Sequence, residues 1–224
     1  MESAKSMQNA IWKIIRLMAG LFLYSLGIAF TVNARLGLAP WDVFHQGLSN
    51  QLGISMGVAI QIAGGAVLIL GLLLHERIGW GTIANVFFIG LFLDLIQHLG
   101  LVPLFQGLIP CVLMMVIGMI IISFATYLYL GAELGSGPRD GLMVALTKAL
   151  KLPVGLIRGG IELTVCIAGY LMGGSIGWGT LIMALGMGVF IQVIFGLLKF
   201  DLREIHHHTI DQDIAAMLKN KADS

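Results

Sequence analysis

Long apolar stretches separated by short polar connections dominate the chain from residue 17 to residue 198. A transmembrane helix needs about 20 mostly apolar residues to cross roughly 30 Å of hydrocarbon. Six stretches reach this length almost without charge: Leu17–Ala34, Ile54–Leu74, Ile78–Gln97, Leu108–Ala132, Leu152–Gly174 and Ile176–Leu198. The pattern predicts an all-α membrane protein of about six transmembrane helices.

The composition supports this class and argues against two others. Hydrophobic residues make up 58% of the 224 residues, charged residues only 11%, and the mean hydropathy is +0.93. A soluble domain of this size could not bury so much apolar surface. The net charge of +1 provides no basic field for nucleic acid, so we expect no nucleic-acid partner.

The positions of the Lys and Arg residues predict the orientation in the membrane. If the N-terminus is cytoplasmic, only Arg35 falls outside and only Arg158 lies within a span. The other eleven of the thirteen fall inside: Lys5, Lys13, Arg16, Arg77, Arg139, Lys148, Lys151, Lys199, Arg203, Lys219 and Lys221. Because cytoplasmic loops are rich in Lys and Arg, both termini are predicted to be cytoplasmic. The tryptophans provide a second indication, because an indole ring prefers the headgroup level of the membrane. All four lie at the ends of predicted spans: Trp12, Trp41, Trp80 and Trp178.

Two motifs recur at one offset of 98 residues. The segments 34–42 and 132–140 share the frame A-x-L-G-x-x-P-x-D, and Ile78–Thr82 is identical to Ile176–Thr180. Each half then holds three spans, so the second half enters the membrane in the opposite sense, as in the inverted repeats of secondary transporters. Duplication for stability alone is the alternative.

The repeat divides the chain into five parts. Residues 1–16 form a cytoplasmic N-terminal segment, and residues 17–98 form the first membrane repeat. Residues 99–114 hold the connection and the start of the fourth helix. Residues 115–198 form the second repeat, and residues 199–224 form a cytoplasmic tail.

The motifs L-G-x-x-P-x-D and I-G-W-G-T in a duplicated chain of this length resemble the bacterial YczE/YyaS/YitT-type integral membrane proteins. The resemblance covers nearly all of residues 17–198 and implies a multi-pass protein of the bacterial cytoplasmic (inner) membrane. It implies no defined activity. The two motif copies differ, because Trp41 corresponds to Arg139 and Arg35 to Glu133.

Each copy of the first motif predicts a broken or re-entrant helix. Gly37 and Gly135 suit a left-handed residue just past a helix end. Pro40 and Pro138 suit the first position of a new, short helix, which places an aspartate in its first turn. Such a break at membrane depth needs protein or a water-filled cavity around it. Asp42 and Asp140 are therefore either helix-start residues at a surface or part of a site lined by both breaks.

Glu162 is the most informative single position for function. A carboxylate near the middle of the fifth span is costly unless it is paired, protonated or facing water. Arg158, one turn earlier, is a candidate partner. The interpretation is either a structural ion pair or a substrate or proton site. The candidate substrate-binding residues are Asp42, Asp140, Arg139, Arg158 and Glu162.

Other features carry less functional information. The sequences Gly155-x-x-x-Gly159 and Gly169-x-x-x-Gly173 predict close packing of the fifth span. Asp94, near the outer interface, is interpreted as a solvated or snorkelling side chain. The His206–His208 run suggests a solvated tail, because no second ligand cluster accompanies it. We therefore expect no metal site and no cofactor.

The preferred hypothesis is a small-solute secondary transporter or facilitator with a site at the membrane midplane between the two repeats. The alternative is a non-transporting membrane helper or regulatory protein that acts through a partner complex. An enzyme is not expected, because no nucleophile, base and orienting group occur at recognisable spacing. The expected partners are the lipid bilayer and an unknown small solute, with a homo-oligomer or a membrane partner left open.

Overall fold

The computed structural model describes residues 2–201 and 209–211. These residues form eight α-helices, whose bounds are α1 Glu2–Asn33, α2 Pro40–Leu52, α3 Met56–Leu73, α4 Trp80–His98, α5 Leu108–Leu130, α6 Pro138–Leu150, α7 Val154–Leu171 and α8 Trp178–Leu197. No strand occurs in this part of the chain. The all-helical prediction is therefore confirmed.

Six of the described helices are long and apolar enough to cross a membrane: residues 8–33 of α1, and α3, α4, α5, α7 and α8. They match the six predicted spans. The remaining two, α2 and α6, have 13 residues each and are too short to cross. Helix α1 begins at Glu2, so residues 2–16 are helical and continuous with the first spanning helix.

The helix bounds follow the 98-residue offset of the sequence repeat. Helices α2 and α6 correspond residue for residue, as do α3 and α7, and α4 and α8 begin at equivalent tryptophans. The order long, short, long, long therefore occurs twice. The opposite orientation of the two halves in the membrane stays a prediction.

Helices α1 and α5 form the centre of the bundle. They pack closely where Gly27 meets Gly118, because a Cβ atom on either glycine would lie 2.9 Å from the carbonyl oxygen of the other. The same two helices contribute fully buried side chains to the core: Leu21, Ile28, Met115 and Met119. A packed pair of central helices gives the two halves a common apolar core.

Each short helix packs against the other half of the chain. Helix α2 lies on α7, and α6 lies on α3. At the first contact Gly169 lies so close to the α2 backbone that a Cβ atom would lie 2.5 Å from the carbonyl carbon of Val43. The GxxxG prediction therefore applies to Gly169. It is wrong for Gly155 and Gly159, where no described atom lies within 4 Å of the position that a Cβ would take.

The breaks before α2 and α6 differ in one detail from the sequence-based expectation. The left-handed residues just past the helix ends are Arg35, with φ of 53°, and Glu133, with φ of 61°. Gly37 and Gly135 lie further along the break, with φ of 111° and 125°. Glycine is required there for space as well as for φ, since a Cβ on Gly37 would lie 2.6 Å from the Gly177 nitrogen.

Candidate functional site

The two sequence motifs that recur in the repeat contact each other across the halves. The backbone N–H of Gly179 donates to the Leu36 carbonyl at 2.8 Å, and the N–H of Gly81 donates to the Leu134 carbonyl at 2.6 Å. The break of each half therefore ends against the I-G-W-G-T motif of the other half. Sequence analysis identified both motifs but not this reciprocal pairing.

The chemistry of helix ends explains the pairing. The first N–H groups of a helix and the carbonyls of a chain break have no partner within their own segment. Gly81 and Gly179 lie in the first turns of α4 and α8, so their N–H groups can donate to a neighbouring chain. Because glycine has no side chain, the backbone of the break can come close to the start of the helix. A Cβ on Gly179 would lie only 2.9 Å from the Leu36 oxygen. The Thr82 hydroxyl adds a further bond to the Ser136 carbonyl, at 2.7 Å.

The two breaks border a cavity of about 440 Å³, which is within the range of small-molecule sites. Helices α2 and α6 begin at Pro40 and Pro138, and both prolines line this cavity. The five candidate substrate-binding residues all line it as well: Asp42, Arg139, Asp140, Arg158 and Glu162. The structure thus brings together side chains from the first break, the second break and the fifth span. Gly37 and Gly135 lie behind the lining, against the other half.

A chain of polar contacts joins the two breaks. The carbon at the centre of the Arg139 guanidinium lies 4.5 Å from the centre of the Trp41 ring, a cation–π contact. Arg139 Nη2 also lies 3.2 Å from His45 Nε2, and His45 Nδ1 lies 3.3 Å from Asp42 Oδ1. Because guanidinium groups only donate, Nε2 accepts, and the proton of the neutral ring resides on Nδ1 and is donated to Asp42. The Arg139 cation is thus linked through His45 to a carboxylate of the other half.

The equivalent aspartates have different surroundings. The Asp42 residue is 4% exposed and bonded to His45, whereas Asp140 is open to the cavity. The Tyr129 hydroxyl donates to Asp140 Oδ2 at 3.2 Å, and the Gly137 backbone also contributes a hydrogen bond to the Asp140 carboxylate. The ring of Tyr129 in turn packs edge-on against Tyr24, which also lines the cavity. Of the two aspartates, Asp140 is therefore the more accessible from the cavity.

The third polar group belongs to α7. Arg158 Nε donates to Glu162 Oε1 at 3.0 Å, in an i,i+4 pair whose side chains are 51% and 23% exposed. The pair is not sealed, because both residues line the same cavity as Arg139 and Asp140. A guanidinium retains further N–H donors when one is engaged, so Arg158 can pair with Glu162 and with an anionic group together.

The other walls of the cavity are apolar. Isoleucine and methionine side chains from five helices supply them: Ile28, Ile60, Ile89, Ile122, Met183 and Met187. Asn85 is a polar exception in α4. A pocket of this kind binds the apolar part of a ligand by burial and orients its charged part by a few fixed polar groups.

Sequence reasoning missed His45, Tyr129 and Tyr24. His45 follows Asp42 by three residues on a predicted helix, and this spacing was a usable signal. The tyrosines carried none, because a tyrosine at the end of a spanning helix is typical of a membrane interface. Trp41 lies against the Arg139 guanidinium and lines the cavity. Trp178, in contrast, is 82% exposed on the outside of the bundle.

Within residues 2–201 and 209–211, no group of three His, Cys, Asp or Glu side chains could hold a metal ion. The His206–His208 run lies outside the described residues.

Comparisons with known proteins agree on one family. The model of the family of unknown function DUF6198 matches residues 11–195. An uncharacterised protein of Haemophilus influenzae is 34% identical over 88% of this chain and 89% of its own length. The uncharacterised membrane protein YczE of Bacillus subtilis is 32% identical, over 78% of this chain and 81% of its own. The uncharacterised protein YyaS of Bacillus subtilis is 25% identical, over 80% and 90%. No solved structure matches significantly. The chain therefore belongs to the DUF6198 family and is a membrane protein related to YczE.

Proposed function

We propose that this protein is a small-solute secondary transporter or facilitator of the bacterial cytoplasmic membrane, with its solute site in the cavity between the two breaks. The observation that carries the proposal is the joint lining of one cavity by Asp42, Arg139, Asp140, Arg158 and Glu162. Charged groups inside a membrane protein are costly, and they mark substrate or ion pathways where they face a cavity. The duplicated order of helices is also typical of secondary transporters.

The lining favours a solute that is partly apolar and carries a charged group. Arg139 and Arg158 offer guanidinium donors to an anionic group, and the open carboxylate of Asp140 offers an acceptor to a cationic one. The isoleucine and methionine walls suit an aliphatic or aromatic part. A zwitterion or a small organic anion fits these chemistries best.

We place both termini in the cytoplasm. The proposal rests on the Lys and Arg distribution. Three ion pairs agree with the topology itself, because each joins segments that the topology assigns to the same side of the membrane, whichever side that is. Lys13 Nζ lies 2.6 Å from Glu133 Oε2, and Lys148 Nζ lies 3.0 Å from Glu76 Oε2. Arg77 Nε also lies 3.6 Å from Asp211 Oδ2, so these two residues are on the same side.

The test is flux through the purified protein alone. The protein is reconstituted into vesicles of phosphatidylethanolamine and phosphatidylglycerol, and uptake of labelled organic anions, cations and zwitterions is compared with protein-free vesicles. We expect uptake of at least one zwitterion or organic anion, lost in Arg139→Gln and kept in Lys148→Gln, a charge change outside the cavity. If the intact protein moves none of the panel and none raises its thermal stability, the non-transporting helper replaces this proposal.

A further inference from the structure

Helices α3 and α4 are locked together where α3 begins. Gly57 and Gly90 face each other so closely that a Cβ on either would collide with the carbonyl oxygen of the other. Asp94 of α4 strengthens this contact. Its Oδ1 accepts from the Gly57 N–H at 2.9 Å, and its Oδ2 accepts from the Ser55 hydroxyl at 2.5 Å. The contact therefore combines close backbone approach with two hydrogen bonds to one carboxylate.

The equivalent contact between α7 and α8 is open. Gly155 and Gly188 are the residues that correspond to Gly57 and Gly90 at the 98-residue offset. Among the described residues, no atom lies within 4 Å of the position that a Cβ on either would take. The partners of the lock are also changed, because Pro153 and Gln192 stand where the first half has Ser55 and Asp94. Helix α3 packs along α4, whereas α7 and α8 make little contact.

The cavity reaches the surface along this opening. Arg158 and Glu162 line it from α7, while Met187 and Ile191 line it from α8. Arg158 is half exposed there. On the other side of the cavity, Ile60 of α3 and Ile89 of α4, both 5% exposed, belong to the packed pair. The solute site is therefore closed at one helix pair and accessible at the other.

We propose that the α3–α4 pair and the α7–α8 pair are two alternating gates of the cavity. In this structure the α3–α4 gate is closed and the α7–α8 gate is open. In the opposite conformation, Gly155 packs against Gly188 while Gly57 separates from Gly90. This inference rests on the proposed transport function.

The topology places the gates on opposite sides of the membrane. If each of the six long helices crosses once, the start of α3 and the end of α4 lie on the side opposite the N-terminus. The start of α7 and the end of α8 then lie on the side of the N-terminus. With cytoplasmic termini, the structure is an inward-open state.

The glycines themselves support a second conformation. A glycine inside a helix costs about 1 kcal/mol relative to alanine. At Gly57 and Gly90 the close contact explains this choice. At Gly155 and Gly188 the described conformation has ample room for a side chain, so the same choice is explained by a closed state in which that room disappears.

The test measures both gates in one protein by pulsed electron paramagnetic resonance. Spin labels are attached to cysteines at two matched pairs, Val58/Leu91 and Leu156/Val189, in a background carrying Cys111→Ala and Cys166→Ala. The four positions are exposed and the pairs are equivalent at the 98-residue offset. In lipid vesicles the intact protein is expected to show a short and a long distance at each pair.

Two variants bias the gates in opposite directions. Asp94→Ala removes the lock, so the Val58/Leu91 distance should lengthen while the Leu156/Val189 distance shortens; Gln192→Ala, at the equivalent position, should change neither. Gly188→Leu places a side chain in the open gap, so it should fold normally and remove the short Leu156/Val189 population. The comparison of Gly188→Leu with the intact protein does not depend on the stability of the Asp94 variant.

The outcomes separate the gates from the transport function. A single, unchanging Leu156/Val189 distance in the intact protein, Asp94→Ala and Gly188→Leu would overturn the gate proposal, even if vesicle uptake is observed. Coupled distance changes without uptake of any solute would retain the gates and remove the transport function. A change at one pair that leaves the other fixed also contradicts alternation.

Discussion

Trp41 and Arg139 occupy equivalent positions of the two motif copies, 98 residues apart, and they contact each other. The guanidinium carbon lies 4.5 Å from the centre of the indole ring. Equivalent residues of two repeats meet only near the axis that relates the repeats. If the two residues were identical, they would form a symmetric pair. Because one is arginine and the other tryptophan, a cation lies over an aromatic ring instead.

Arg139→Gln is expected to destabilise the fold as well as the site. The change removes the contact with Trp41 and leaves His45 without its donor. Because cation–π contacts contribute up to about 2 kcal/mol when desolvated, we expect a loss of about 1–3 kcal/mol in unfolding free energy. Arg139→Lys keeps the charge but not the planar group, so it should recover only part of the loss.

Thermal unfolding in detergent measures both changes. Lys148→Gln is the control, because its ion pair with Glu76 is 69% exposed on the lysine side and such pairs contribute about 0–1 kcal/mol. Equal stability of Arg139→Gln and Lys148→Gln would show that the contact with Trp41 contributes little.

Glu162→Gln is expected to preserve folding and abolish solute binding. The glutamine keeps the volume of the side chain, and the pair with Arg158 is partly exposed, so its net contribution to stability is small. The negative charge beside Arg158 is lost, which changes how the guanidinium presents its donors to a solute. The measurements are insertion and purification yield, and solute-dependent thermal stabilisation.

The double variant Arg158→Leu/Glu162→Leu separates a structural pair from a site. A structural pair can be replaced by apolar residues of similar volume at little cost. Retained solute stabilisation in the double variant would assign Glu162 to structure alone.

Gly37→Ala and Gly135→Ala are expected to lose about 3 kcal/mol or more each. Both residues have φ above 100°, and an added Cβ would lie 2.7 Å from Thr180 Oγ1 or Thr82 Oγ1, respectively. Gly53→Ala is the matched control. Its φ of 63° is also left-handed, but the space around it is open, so only the backbone penalty of about 1–2 kcal/mol applies. Similar melting temperatures for the three variants would contradict the steric role of the break.

The proposed orientation predicts the location of fused reporters. Reporters after Gly53 and Gly100 should read as periplasmic or external, and those after Arg77, Leu150 and Ser224 should read as cytoplasmic. Activity of alkaline phosphatase and fluorescence of a cytoplasmic reporter measure this directly. A consistent reversal would place both termini outside and make this structure outward-open.

Much of the fold could be predicted from the sequence, because membrane spans are specified by length and apolar composition alone. The first residues of α2 and α6 also follow from local chemistry, since proline is favoured at the first position of a helix. The GxxxG prediction failed at Gly159 because a small residue permits close approach without requiring it. Asp94 was interpreted as solvated, yet its carboxylate accepts two hydrogen bonds from α3.

The composition of the site was predictable in part. Costly charges such as Glu162 can be recognised in sequence, because hydrocarbon disfavours them wherever they lie. Contacts between the two halves cannot be recognised in the sequence, since a contact such as that of Arg139 with His45 depends on how eight helices pack. The sequence repeat shows that Gly37 and Gly135 are equivalent positions. It does not show which residues they contact, because those residues lie in the other half of the chain.

The reciprocal bonds between Leu36 and Gly179, and between Leu134 and Gly81, also bear on biosynthesis. Translation proceeds from the N-terminus, so the donor for Leu134 is already made when that residue emerges. Leu36, in contrast, has no donor until α8 has been translated, and its break stays incomplete while almost all of the membrane part is inserted. Neither half can complete its own break, so the last of the six described spanning helices to be synthesised completes the first break in the chain.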